Sequence, residues 1–134
     1  MAKNAAPRPG EPTATEALRA DAVADLDALL HAAATLRAEL RVFETVIRRN
    51  RRHLARGGDA TKMREMFNIA QVREGLTHAA TNFQATRHTS RLSVFRLQSA
   101  EGMSIGAIAR DWGLSRQLVS RMIKEHQTDR AAAT

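Results

Sequence analysis

The chain has 134 residues, enough for one ordinary domain or for one small domain with a long appendage. Its 21 lysines and arginines exceed its 14 acidic residues, and the resulting charge of +7 and pI of about 11.3 suggest a polyanionic partner such as DNA, RNA or an anionic membrane. The absence of cysteine excludes disulfides and thiolate zinc sites, and no apolar run is long enough to predict a transmembrane helix.

The sequence pattern predicts an all-α protein. No segment alternates apolar and polar residues over the length of a strand, and all three prolines lie at or before Pro12. Residues 1–14 hold these prolines and no apolar cluster, so we expect a disordered arm there. The first 15 residues also lack the apolar middle of a secretory signal, and we therefore expect a cytoplasmic protein, within the nucleoid or outside it.

A long helix is predicted from about Thr15 to Arg56, with Thr13 or Thr15 as its N-cap. Apolar residues recur along it in steps of three and four, which is a heptad pattern. The a positions are Leu26, Ala33, Leu40, Ile47 and Leu54, and the d positions are Leu29, Leu36, Phe43 and Asn50.

This pattern predicts self-association, most simply as a homodimer. Apolar residues also flank the heptad seam, and Glu39 and Glu44 would repel their counterparts in a parallel coil, so an antiparallel pair or a small bundle fits better. The alternative is a helix that packs only on its own chain. The residues predicted to mediate self-association are Leu26, Leu29, Leu36, Leu40, Phe43 and Ile47.

The end of this helix is strongly basic, with Arg48, Arg49, Arg51, Arg52 and Arg56 and no acid between them. Cations near a helix C-terminus are favoured by the helix dipole, which accounts for part of this cluster. Five exceed that need, and a phosphate backbone would relieve their mutual repulsion. We consider them a candidate anion contact, with a merely solvated basic face as the alternative.

The triplet Gly57-Gly58-Asp59 should end the long helix and let the chain fold back as a helical hairpin or coiled coil over residues 15–87. The second helix is predicted from about Ala60 to Arg87, with Gly75 as a place where it could break or kink. The polar run Gln84–Ser90 is either a linker or an exposed turn of helix, and it gives a candidate domain boundary at residues 87 and 88. A further helix should cover Arg91–Ala100, closed by Gly102.

The C-terminal part of the chain has a helix, a tight turn and a second helix. Ser104 can cap a helix at Ile105–Trp112, Gly113-Leu114-Ser115 forms the turn, and the second helix runs from Arg116 to about Lys124. A small residue, Ala109, stands where the two helices would cross. The apolar side chains expected to form the buried inner faces of the two helices are Ile108, Trp112, Leu114, Val119 and Met122.

In these features Ile105–Lys124 resembles the core of the helix-turn-helix superfamily, the tri-helical kind found in bacterial repressors, resolvase and transposase DNA-binding domains and the promoter-reading end of sigma factors. The resemblance implies a three-helix domain at 88–126, with Leu92 and Phe95 from the preceding helix, and a flexible tail at 127–134. It also implies that the second helix enters the major groove. Arg116, Gln117, Ser120 and Arg121 would then contact base edges or flanking phosphates, and Ser104, Ser115 and Lys124 would contact phosphates.

We therefore expect a dimeric transcriptional regulator that binds double-stranded DNA. Two other classes stay open: a nucleoid-associated protein that bridges DNA, with Arg48–Arg56 as a second DNA contact, and a helical adaptor that docks on a larger DNA-processing machine. A purely structural or protein-binding three-helix unit is the simplest alternative. No nucleophile, metal-ligand pair or phosphate loop is visible, so we expect neither an enzyme nor a cofactor.

Overall fold

The structure, a computed structural model, describes Ala6, residues 8–66 and residues 68–133, with side chains as far as Glu125. Every regular element within these residues is helical and none is a strand, which confirms the all-α prediction. Residues 1–5 and 7 of the expected arm, and the side chain of His126, lie outside the described residues. No helix in the part of the chain described is long and apolar enough to cross a membrane.

Helix α1 spans Ala14–Ala55 and has a defined start and end. At the start, the Thr13 N–H donates to Glu16 Oε2 at 3.0 Å and the Glu16 N–H donates to Thr13 Oγ1 at 3.1 Å, which is a capping box. At the end, Gly57 adopts a φ of +81° and the Gly58 N–H donates to the His53 carbonyl at 2.9 Å. Backbone chemistry therefore sets both ends close to the predicted positions.

The chain does not return as the single second helix that we predicted from Ala60. A short 3₁₀ helix covers Ala60–Lys62, α2 covers only Met63–Met66, and α3 begins at Ile69. Asp59 caps the 3₁₀ helix, and its hydrogen bonds from Thr61 hold the pKa of its carboxyl below the ordinary 3.8. Asn68 Oδ1 accepts from the Gln71 N–H at 3.3 Å, so a second cap restarts the helix.

Helix α3 runs without a break from Ile69 to Ala100. It passes through Gln84–Ser90, so that run is helical, and the linker alternative is wrong. It also passes through Gly75, where a Cβ would lie 2.9 Å from Glu39 Oε2 of α1. Gly75 therefore marks a close approach of the two helices rather than a kink.

Helices α1 and α3 are paired. Arg19 of α1 forms an ion pair with Glu101, just past the end of α3, at 2.6 Å, and the Ser93 hydroxyl donates to the Asp25 carboxylate. Residue 19 contacts residue 101, and residue 25 contacts residue 93. The two helices therefore run antiparallel. The inward face of α1 is a series of buried or half-buried residues in steps of three and four, with Asp21 and Ala33 half-buried beside it. The series is Thr15, Leu18, Ala22, Asp25, Leu29, Ala32, Leu36, Glu39, Phe43, Val46, Asn50 and His53.

The two halves of the predicted heptad therefore lie on different faces of α1. Its d positions lie in this series. Its a positions lie one residue too late, and four of them are exposed: Leu26 by 42%, Leu40 by 41%, Ile47 by 45% and Leu54 by 46%. Asp25 and Glu39 face inward instead. Asp25 does so because Ser93 lies opposite it, and Glu39 because Gly75, which has no side chain, lies opposite it.

The chain forms two compact units. The central unit is Ala28–Arg87. The terminal unit combines the chain up to Asp27 with the chain from His88 onward, and it contains α4 (Ile105–Trp112) and α5 (Arg116–Ala133). The prediction divided the chain between residues 87 and 88. It did not assign the start of α1 to the same unit as the C-terminal helices. The predicted flexible tail is helical as far as Ala133.

Candidate nucleic-acid interface

The helices α3, α4 and α5 share one apolar core within the terminal unit. Phe95, Ile108 and Val119 are completely buried and form its centre. Four partly buried apolar side chains close its edge: Met103, Leu114, Leu118 and Ile123. The buried set is Leu92, Phe95, Ile108, Ala109, Val119 and Met122. Since α4 and α5 both insert into this core, their relative orientation is fixed by packing.

The turn between α4 and α5 depends on Gly113, which has φ of +64° and ψ of +35°. The Leu114 N–H donates to the Ala109 carbonyl at 2.9 Å, and the Gly113 N–H donates to the Arg110 carbonyl at 3.3 Å. A left-handed residue with these bonds ends α4 and redirects the chain into α5 within three residues. Ala109, the small residue predicted at the helix crossing, is 2% exposed.

We expect Gly113→Val to destabilise the terminal unit by roughly 1–2 kcal/mol or more, because a side chain at this φ is strained and β-branching adds to the strain. Gly113→Asn is the matched control and should cost less, since asparagine tolerates the left-handed region. The measurement is denaturant unfolding followed by the fluorescence of Trp112, the only tryptophan in the chain. Equal losses in the two variants would contradict the role given to this backbone conformation.

Trp112 is not part of the buried core, contrary to the sequence prediction. It is 42% exposed and forms a T-shaped contact with Phe95, with ring centroids 5.2 Å apart and planes at 82°. Its Nε1–H donates to Gln98 Oε1 at 3.2 Å. An indole nitrogen needs such a partner, so the ring covers the core from outside with its polar atom satisfied.

The exposed face of α5 carries most of the predicted contact residues. Arg116, Gln117, Arg121 and Lys124 are exposed and Ser120 is half-buried, while Val119 and Met122 point into the core. The structure brings the five polar side chains together along one open groove beside the start of α4. The groove is lined by Ile105, Arg116, Gln117, Ser120, Arg121, Lys124 and Glu125.

Three residues at this groove were missed by sequence reasoning. Gly106 of α4 lies under the Arg116 side chain, and a Cβ there would come within 3.4 Å of Arg116 Nε. Ile105, 36% exposed, forms an apolar wall, and Glu125 places one carboxylate at the far end. The signal for Gly106 was available, because Gly106 and Ala109 are small residues one turn apart in α4.

Ser104 and Ser115 are helix caps as well as predicted phosphate contacts. Ser104 Oγ accepts from the Ala107 N–H at 3.1 Å, and Ser115 Oγ accepts from the Leu118 N–H at 3.1 Å. A hydroxyl that accepts such a bond can still donate its own proton. Both side chains belong to exposed residues, so each can serve as a cap and as a donor to an anion.

The charge at the start of α5 is opposite in sign to the charge that the helix dipole favours there. The first turn of α5 contains no acidic residue and begins with Arg116, although the positive end of the dipole favours acids. The positive end of the helix dipole and a cationic residue are therefore both present at the start of α5. An anion placed there would satisfy both.

A second basic groove lies in the central unit. It is lined by Arg49, Arg52 and Arg56, together with His53 and the Gly57-Gly58 turn. The His53 ring is held by a 2.9 Å hydrogen bond between its Nε2 and the Asp59 carbonyl. It lies so close to Gly58 that a Cβ would come within 2.4 Å of the ring.

The five arginines predicted as one anion contact are therefore separated by the structure. Arg48 forms an ion pair with Glu44 at 3.2 Å, one turn back along α1. Arg51 is exposed and does not line the groove. Arg49, Arg52 and Arg56 remain as the groove-lining set, since steps of three and four residues place them on one side of the helix.

Among the residues whose side chains are described, no group of three or more histidine and acidic side chains could hold a metal ion. Comparisons with protein-family models, with curated proteins and with solved structures found no match. The assignment of function therefore rests on the chemistry of these surfaces.

Proposed function

We propose that this protein binds double-stranded DNA, with α5 in the major groove, and that it acts as a dimeric transcriptional regulator. The observation that carries the proposal is the exposed face of α5. It presents three cations, an amide and a hydroxyl with no acid before Glu125, on a helix held by the buried core. A helix with such a face has the width and the donors needed to reach base edges.

The individual side chains have distinct tasks in this proposal. Arginine suits the two acceptors of guanine, so Arg116 and Arg121 are the candidates for reading guanine or holding a phosphate beside it. Gln117 suits adenine, and Ser120 accepts or donates to either base. Lys124 and the cap hydroxyls of Ser104 and Ser115 would hold the phosphate backbone and so fix the position of α5.

The proposed function is tested by titrating labelled duplex DNA with the full chain at several salt concentrations. We expect the logarithm of the binding constant to fall linearly with the logarithm of salt concentration, and a selection from random duplexes to enrich a shared sequence. A chain that binds no duplex at low salt would overturn DNA binding. Enrichment of a palindrome would support a dimeric regulator.

The second candidate function is DNA bridging by a nucleoid-associated protein. The groove of Arg49, Arg52 and Arg56 favours it, because it gives the central unit a basic surface of its own, made by residues other than those of α5. If the protein bridges DNA, replacing these three arginines with alanine should abolish the capture of a second duplex while leaving single-duplex binding through α5 in place. A helical adaptor would instead retain a protein partner after nuclease treatment.

Removal of the three groove arginines should reduce the salt dependence of DNA binding by up to about three ion equivalents if all three contact phosphates. The matched control replaces three other exposed cations of the central unit, Lys62, Arg64 and Arg73, with alanine. Both triple variants lose the same net charge, so equal effects would assign the result to overall charge and not to the groove.

A further inference from the structure

Helix α1 carries a second heptad stripe that the fold leaves uncovered. In the central unit, the residue that follows each inward residue of α1 lies about 100° further round the helix. These following residues form the second stripe. Its large apolar residues are exposed: Leu30 by 70%, Leu40 by 41%, Ile47 by 45% and Leu54 by 46%, with Ala33 half-buried between Leu30 and Leu40. Two adjacent heptad seams on one helix are typical of a helix that packs on two neighbours in a bundle.

The charged residues of the stripe indicate which partner can cover it. They are Arg37, Glu44 and Arg51, all exposed. In a parallel pair of α1 helices each of them would face its own copy, which places like charges together three times. In an antiparallel pair centred between residues 37 and 44, each Arg37 faces the Glu44 of the second copy, whose carboxylate also pairs with Arg48 one turn further along its own helix. Two reciprocal ion pairs replace the repulsion.

The same antiparallel register also matches the apolar residues. Leu40 lies next to the two-fold axis and meets its own copy, Ala33 lies opposite Ile47, and Leu30 lies opposite the aliphatic stem of Arg51. A small residue against a large one fills the space between the helices. From Leu30 to Arg51 the stripe is thus complementary to itself, as the interface of a two-fold dimer requires.

We propose that this stripe, from Leu30 to Arg51, is the homodimer interface, and that two copies of α1 pack on each other antiparallel through it. The inference deepens the proposed function, since it specifies the surface that makes the regulator dimeric. It rests on the central unit alone and does not depend on DNA binding.

Sedimentation equilibrium of the full chain without DNA tests the interface. We expect a dimer, and we expect Leu40→Glu/Ile47→Glu to raise the dissociation constant by at least about 100-fold, since two apolar side chains per copy lose their burial. Because both residues are exposed in one chain, circular dichroism should show unchanged helix content. Val42→Glu is the matched control, since Val42 is 48% exposed on α1 and lies off the stripe.

Charge reversal tests the orientation. Arg37→Glu and Glu44→Arg should each weaken the dimer, and the double variant should restore it, because the pairs re-form with their signs exchanged. A parallel dimer would show no such rescue, since like charges would face each other in every variant. A monomeric wild-type chain at tens of micromolar, or equal effects of the stripe and Val42 variants, would overturn the proposal. DNA binding by a monomer would leave the proposed DNA contact standing and remove only the interface.

Discussion

Replacing Arg116 and Arg121 with alanine should weaken binding to duplex DNA by on the order of 30-fold or more, since each arginine contact with a base or phosphate is worth roughly 1 kcal/mol or more. The salt dependence should also decrease by about two ion equivalents if both arginines contact phosphates. Both side chains lie on the exposed face of α5, so the double variant should keep its fold. Fluorescence anisotropy with a labelled duplex at three or more salt concentrations measures both quantities.

The matched control is Arg64→Ala/Arg73→Ala, which removes two exposed arginines from the central unit and none from the groove of α5. It lowers the net charge by the same amount. If the control lost as much affinity as the α5 variant, binding would follow overall charge and the assignment of α5 as the reading helix would fail. A loss confined to the α5 variant supports direct contact.

The largest loss of stability is expected for Phe95→Ala. Phe95 is completely buried at the centre of the core and contacts the Trp112 ring, so its removal should cost about 3–5 kcal/mol in the free energy of unfolding of the terminal unit. Trp112 lies on this core and reports on it directly, so urea unfolding followed by tryptophan fluorescence measures the effect. Should Phe95→Ala prevent folding altogether, Phe95→Leu should show a smaller loss of the same kind.

Phe83→Ala is the matched control for this change, since Phe83 lies in the same helix but in the central unit and is only half-buried. Its substitution should move the Trp112-detected transition much less. Equal shifts in the two variants would contradict the division of the chain into separately packed units.

Local chemistry explains why the region from Ser104 to Lys124 was predictable. Serine caps, a left-handed glycine and a small residue at a helix crossing each act within a few positions of the chain, so their signals are complete in the sequence itself. The start of α4, the turn and the start of α5 lie where these signals put them. The buried places of Ile108, Val119 and Met122 follow from their helical spacing.

The register of the α1 face that packs on α3 was not predictable from α1 alone, because it depends on distant residues. Hydrophobicity alone favours Leu40 over Glu39 as an inward position. The structure turns Glu39 inward, because Gly75 of α3 lies opposite and leaves room for the carboxylate. Asp25 is likewise accepted in the seam since Ser93 donates a hydrogen bond to it.

A polar composition does not distinguish a linker from an exposed stretch of continuous helix. The run Gln84–Ser90 resembles a linker in composition, although it lies within the uninterrupted α3. Trp112 shows the opposite error, because its apolar ring suggested full burial. Its N–H is satisfied by Gln98, a partner that a hydrophobic pattern does not reveal.

The contacts of the terminal unit also determine the order in which the protein can fold. The hydrogen bond between Asp25 and Ser93 joins residues 68 positions apart, and the ion pair between Arg19 and Glu101 joins residues 82 positions apart. The central unit is contiguous in sequence, so it can form while the chain is still being synthesised. The first turns of α1 must wait for the last third of the chain, and a ribosome that stops before residue 88 releases a product in which they have no partner helix.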